Sequence, residues 1–116
     1  MTETDCLFCK IVDRSLPAAI VAETDDALAF RDIDPKAPVH VLVIPKRHVA
    51  SLAAADDEDR TLLGAVLLLA RDVARAEGVE ESGFRVVTNT GEDGGQSVAH
   101  LHAHVLGGRV LHWPPG

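Results

Sequence analysis

Three of the chain's six histidines fall in the segment His100-Leu101-His102-Ala103-His104-Val105, at alternate positions with apolar residues between them. In an extended strand successive side chains point to opposite faces, so His100, His102 and His104 share one face while Leu101, Ala103 and Val105 bury the other. A core-facing row is ordinarily aliphatic, and a row of imidazoles therefore points to a site. Near neutral pH imidazole serves as nucleophile, proton carrier or metal ligand; the plain alternative is a half-exposed polar strand face. A neutral imidazole on a strand can attack phosphorus and form a phosphoramidate-type intermediate that water then hydrolyses, which divides one difficult displacement into two. His102, the middle residue, is best flanked for that role. Upstream, Gly94 and Gly95 let backbone N–H groups approach an anion because no Cβ intervenes, or they serve only as a turn.

A second constellation is Cys6-x-x-Cys9, which holds both cysteines of the chain. In a reducing compartment such a pair indicates metal or redox chemistry before a structural disulfide. Two thiolates joined by two distant imidazoles make a common tetrahedral zinc set; two reduced, buried cysteines are the alternative.

The elements that must position these residues follow from periodicity. Leu7, Phe8, Ile11 and Val12 recur at helical spacing and stop before Pro17, which predicts a short N-terminal helix. Ala19 to Glu23 and Ala27 to Phe30 are two apolar runs around Thr24-Asp25-Asp26, a hairpin pattern. A proline-bounded loop from Asp32 to Pro38 leads to Val39-His40-Val41-Leu42-Val43-Ile44, a β-branched third strand closed by Pro45. Acidic Asp56 to Asp59 stand where a helix N-terminus is electropositive, and the apolar face from Leu62 to Ala74 predicts one long helix ending near Gly78. Phe84 to Asn89 alternates as a fourth strand, and Thr90 to Gln96 is a glycine-rich loop feeding the histidine strand. The order α-β-β-β-α-β-β describes an α+β domain with a mainly antiparallel sheet.

A chain of 116 residues holds one core. With 18 Asp and Glu against 11 Lys and Arg, its net charge of −7 disfavours nucleic-acid polymers and anionic membranes, so any phosphate it binds should be small. The acidic start, Met1 to Asp5, lacks the basic and apolar regions of a secretory signal, and the apolar stretch from Leu62 to Ala76 is broken by Arg71, Asp72 and Arg75. A cytoplasmic protein is expected.

The string from Gly94 through Val105 closely resembles the histidine triad (HIT) family, whose mark is His-x-His-x-His flanked by hydrophobic residues. Phe30 to Pro35 and Pro38 to His48 resemble two further family blocks in the same order, and Trp113-Pro114-Pro115-Gly116 is similar to the ending of the Hint branch, the purine nucleoside phosphoramidases. The resemblance implies a single HIT domain over 1–116 with 109–116 as a C-terminal tail, a five-stranded sheet, one long and one short helix, and a homodimer that continues the sheet and receives Trp113. It implies hydrolysis of nucleoside 5′-phosphoramidates or related purine nucleotidyl conjugates through a covalent intermediate on His102. His104 would contact the phosphate or bridging atom, Ser97 would place a hydroxyl near the leaving group, and His100 would support the other two. Asp32 would accept both ribose hydroxyls, Asn89 would meet the phosphate or ribose, and Gly95 and Gln96 would stand with Ser97 at the nucleotide. Phe8, Ile11, Leu16 and Ile33 would form an apolar slot for the purine.

No catalytic cofactor is implied, while a structural zinc on Cys6, Cys9, His48 and His100 is, with His40 either an alternative ligand or a core histidine bonded to the triad. The competing activities are dinucleoside polyphosphate hydrolysis, nucleotide binding with incidental hydrolysis, and a catalytic metal held by all three triad histidines. Departures from the family are small: Ala99 stands where many members carry a bulkier residue, and Arg31 precedes Asp32.

Overall fold

A computed structural model describes residues 5–116; the acidic start from Met1 to Thr4 lies outside the described residues. Helix α1 (Leu7–Val12) is followed by strands β1 (Ile20–Glu23), β2 (Ala27–Arg31) and β3 (Val39–Pro45). A 3₁₀ turn (Asp57–Asp59) runs into the long helix α2 (Arg60–Ala76), and then come β4 (Phe84–Thr88), the single helical turn α3 (Gly91–Gly94) and β5 (Ala103–Gly107). The five strands form one sheet in the order β1-β2-β3-β5-β4, and every pair is antiparallel. The α+β architecture expected from the sequence is the one observed, with α3 and the 3₁₀ turn as added short elements.

The sheet has two unlike faces. Ala27, Ala29, Val41, Val43, Ala103 and Val105 turn toward α2, which meets them with Val66, Leu69, Ala70, Val73 and Ala74. Fully burying a Val or Leu side chain contributes about 1.5–3 kcal/mol, so this layer is the main source of stability. The opposite face carries Leu28, Phe30, Leu42 and Ile44 under Cys6, Phe8 and Ile11. Strict alternation on β3 therefore puts His40 on the α1 side with Leu42 and Ile44.

The histidine row differs from the strand expected for it. Only His104 lies in β5, and His100 to His102 precede the ladder. The departure has a tertiary cause, because the Leu101 N–H is drawn to the Val49 carbonyl at 2.7 Å and the Thr88 hydroxyl donates to the His102 carbonyl at 2.9 Å. The chain stays extended enough that Leu101, Ala103 and Val105 are buried on the α2 side. Glycine is required at Gly108, where φ is +89° and a Cβ would stand 2.9 Å from the Pro38 Cβ. Gly64, inside α2, has nothing within 4 Å of an added Cβ.

Substituting alanine at these two glycines should therefore act in opposite directions. Gly108→Ala is expected to lose about 1–3 kcal/mol and Gly64→Ala to gain about 0.5–1 kcal/mol, read from urea denaturation midpoints.

Candidate functional site

A cleft of about 640 Å³ opens on the α1 side of the sheet. Its apolar end is walled by Phe8 and Ile11 of α1, by the segment from Leu16 to Ala19, and by Phe30 and Leu42 of the sheet floor. Its polar end brings together Asp32, Ser97, His102 and His104, with Ile33 at the rim. Eight of the residues singled out in the sequence thus meet in one cavity. Phe30, Leu42, Val98 and Pro17 to Ala19 were missed; for Leu42 the signal was available, since strand alternation sets it beside His40.

His102 is buried, and its Nδ1 lies 2.7 Å from the His100 carbonyl oxygen. A carbonyl can only accept, so Nδ1 carries a hydrogen, and in the neutral form of the ring the lone pair is on Nε2. Phe8 packs edge-on against the ring at a centroid distance of 5.1 Å, which fixes its plane.

His40 sets the state of His104 by the same logic. The Lys36 N–H donates to His40 Nδ1 at 3.0 Å, which places the His40 hydrogen on Nε2. That hydrogen faces His104 Nδ1 at 2.9 Å, with the Asp32 carboxylate a second acceptor at 3.4 Å. His104 must then accept at Nδ1 and carry its own hydrogen on Nε2. The pair therefore offers the cleft a lone pair on His102 and a donor on His104. Burial pushes His104 down to about 4, helped by His102 and His40 and opposed by Asp32, so it is neutral at physiological pH. Burial also lowers His40. Asp32, His40 and His104 hold their ligand atoms within 4.8 Å of one another, but the proton on His40 Nε2 prevents that nitrogen from binding a metal.

Behind His102 lies a second cluster. Cys6 Sγ, Cys9 Sγ, His48 Nδ1 and His100 Nδ1 all lie within 4.8 Å of one another. His100 is fully buried and donates from Nε2 to the Pro45 carbonyl at 2.8 Å, so its lone pair is on Nδ1 and faces the sulfurs. The separations are 3.3 Å from Cys6 Sγ to His100, 3.3 Å from Cys9 Sγ to His48, and 3.2 Å between the two imidazole nitrogens. A tetrahedral zinc with Zn–N near 2.0–2.1 Å and Zn–S near 2.3 Å requires ligand separations of about 3.3–3.8 Å. The donor set fits such an ion. Burial holds His100 down at about 4, which keeps its lone pair free.

The glycine loop is arranged differently from the expectation. The Gly95 N–H donates to the Glu92 carbonyl and the Gln96 N–H to the Gly91 carbonyl, both at 3.0 Å. The Gln96 side chain braces the loop, donating to the Ala50 and Val98 carbonyls and accepting from the Gly91 N–H. Among the described residues the Ser97 and Val98 N–H groups and the Ser97 hydroxyl meet no partner, and both residues line the cleft. Asn89 is half-buried beneath Gly94, outside the cleft lining. The tail is held where Arg85 donates to the Leu111 and His112 carbonyls, with Trp113 82% exposed beyond them and His112 on the surface. No helix among the described residues is long and apolar enough to cross a membrane.

Comparisons with known proteins converge. The HIT domain family matches residues 13–111. An uncharacterised HIT-like protein of Synechococcus elongatus is 55% identical over 112 residues, covering 97% of each chain. Among solved structures, a HIT family hydrolase from Legionella pneumophila superposes with a TM-score of 0.94 at 50% identity, covering 97% of this chain and all (100%) of that one. A histidine triad protein from Clostridium difficile gives 0.92 at 42% identity, covering 97% of each.

The neutral state of His104 has a measurable cost in acid. Its folded value of about 4 lies below the ordinary 6.5, so the stability tied to keeping it neutral is complete above pH 6.5 and is lost as pH falls toward 4. Discounted for its half-open position, the loss is about 1–2 kcal/mol. Between pH 7 and 4 the wild type should lose that much more stability than His104→Gln, measured by urea denaturation at each pH; parallel profiles would contradict it.

Proposed function

The chain belongs to the HIT domain family, and we propose that it hydrolyses nucleoside 5′-phosphoramidates or related purine nucleotidyl conjugates through a covalent intermediate on His102. The family's general character, a hydrolase or transferase that binds small nucleotides, frames the reading. The observation that carries it is the fixed tautomer of His102, which holds an Nε2 lone pair at the polar end of the cleft beside a donor on His104.

The His102 Nε2 lone pair attacks phosphorus as the phosphorus–nitrogen bond to the leaving amine breaks. His104 Nε2–H and the Ser97 and Val98 amides face the phosphoryl oxygens, where fixed dipoles stabilise developing charge without reorganising. The Ser97 hydroxyl lies toward the leaving nitrogen and passes it a proton from water. A second water then attacks phosphorus, the bond to His102 breaks, and a nucleoside monophosphate leaves. Asp32 turns its carboxylate to both ribose hydroxyls, and Asn89 reaches the phosphate or ribose from below the loop. Gly95 and Gln96 serve the nucleotide by shaping the turn that presents Ser97. Phe8, Ile11 and Leu16 take the purine, and Ile33, wholly exposed, closes over it.

We read the cluster of Cys6, Cys9, His48 and His100 as a structural zinc site. When bound, the ion supplies a fixed anchor for His100, whose carbonyl in turn orients His102. The reaction itself needs no cofactor. We also assign a homodimer. β4 is an edge strand, and beside it Leu52, Leu63, Leu67 and Val86 line an apolar groove of about 340 Å³ that a second copy would cover. Trp113 would then pack near the partner's cleft. Two cysteines outside any disulfide and an acidic net charge suit the cytoplasm.

His102→Gly is expected to lower turnover of adenosine 5′-phosphoramidate by at least about three orders of magnitude, as removal of a nucleophile does elsewhere. Equal turnover by both proteins would overturn the assignment, and competition with a dinucleoside polyphosphate would rank the two substrate classes. Metal analysis of the wild type should find about one zinc per chain, and Cys6→Ser should lose it.

A further inference from the structure

The cluster behind the nucleophile contains a feature that phosphoryl transfer does not use, a vicinal pair of thiols open to oxidation. We infer that Cys6 and Cys9 are an oxidisable pair whose conversion to a disulfide by a peroxide ejects the metal and slackens His102. The inference rests on the zinc reading above and extends it from structure to control.

The geometry supports each step. The two sulfurs lie within 4.8 Å of each other, on residues three apart at the start of a helix, a spacing that a disulfide spans with a small side-chain rotation. They differ in access: Cys6 is fully buried, whereas Cys9 is only partly covered. A peroxide therefore meets Cys9 first. The Cys9 thiolate attacks one peroxide oxygen, the O–O bond breaks, hydroxide leaves and a sulfenic acid remains. The Cys6 thiolate then attacks the Cys9 sulfur, the S–S bond forms, the S–O bond breaks and a second hydroxide leaves. Two thiolates have been oxidised by two electrons, one peroxide has been reduced, and solvent protons convert the hydroxides to water.

A disulfide is a poor ligand for zinc, because the thiolate is the form that binds metal. His48 and His100 alone supply two of the four donors, so the ion leaves. His100 is the connection to catalysis. Its Nδ1 faces the sulfurs, while its carbonyl, on the same residue, accepts the His102 Nδ1–H at 2.7 Å. Losing the ion frees the His100 ring from one of its two anchors, the other being the Pro45 carbonyl. The carbonyl that selects the His102 tautomer is then less rigidly placed.

The chain contains no other cysteine, so thiol counting reads this pair alone. Reduced wild-type protein, first assayed for zinc, would be titrated with hydrogen peroxide while a chromogenic chelator reports released metal and mass spectrometry reports the disulfide. Absence of zinc before oxidation would refute the zinc reading on which the inference stands. With zinc present, the expected result is loss of both thiols and about one zinc per chain in parallel, a mass lower by two hydrogens, and a fall in phosphoramidate turnover of at least about tenfold. A thiol reductant with added zinc should restore all three. Zinc retained while the thiols oxidise, or oxidation to sulfinic acids without a disulfide, would overturn the switch while leaving the zinc site intact.

Discussion

The hydrogen bond from His102 Nδ1–H to the His100 carbonyl is the interaction on which the site depends. An imidazole free to choose its tautomer would spend part of its time with the proton on Nε2, the nitrogen that attacks in the proposed reaction. A carbonyl acceptor removes that choice, because it has no hydrogen to give. The same residue is tethered twice by its side chain, to the Pro45 carbonyl and to the cysteine cluster, so the acceptor is itself held from behind. Steering by a neighbouring backbone oxygen is stiffer than steering by a flexible carboxylate. It also adds no charge next to the ring.

Such placement needs a sheet with two unlike faces. α2 packs its aliphatic face on one side and provides the rigid base. The other side holds few large aliphatic residues where the histidines gather, and α1 leaves a cleft there instead of closing the layer. β3 joins the two functions: Val41 and Val43 belong to the base, and His40 and Leu42 to the site. The rigidity that stabilises the fold is thereby passed to the proton pattern, since the Lys36 N–H that fixes His40 sits at the entry to this strand.

Much of this was legible in the sequence, for identifiable reasons. Alternation located the two faces of the histidine segment, and β-branched runs located β3, because both depend on local periodicity. The clustering of Cys6 and Cys9 with His48 and His100 followed from resemblance, and no pattern internal to the chain would have chosen His48 over His40. What escaped was hydrogen-bond direction. The glycine loop reads as an anion cradle, yet its Gly95 and Gln96 amides are consumed by α3, and the open amides fall at the next two residues, Ser97 and Val98. Composition locates a loop but does not say which N–H groups the loop spends on itself. The late start of the β5 ladder escaped likewise, because it depends on Val49 and Thr88, remote in sequence.

The electrostatics complete the picture. To bind the proposed phosphate ester, a protein of net charge −7 must overcome its own field at the site. At the polar end of the cleft the groups gathered are a carboxylate, a hydroxyl, two imidazoles and loop amides. With burial holding His104 neutral and the guanidinium of Arg31, which also borders the cleft, paired to Glu77, the proposed phosphoryl substrate would meet oriented dipoles more than cationic charge. That choice suits the histidine nucleophile proposed above. Cationic groups packed against His102 would draw electron density from its Nε2 lone pair, whereas N–H dipoles aimed at the phosphoryl oxygens stabilise the charge that grows there and leave the nucleophile basic. On the proposed function a preference for small nucleotides would follow from the same balance, since a polyanion would bring many phosphates into the acidic surface for every one that the dipoles can hold.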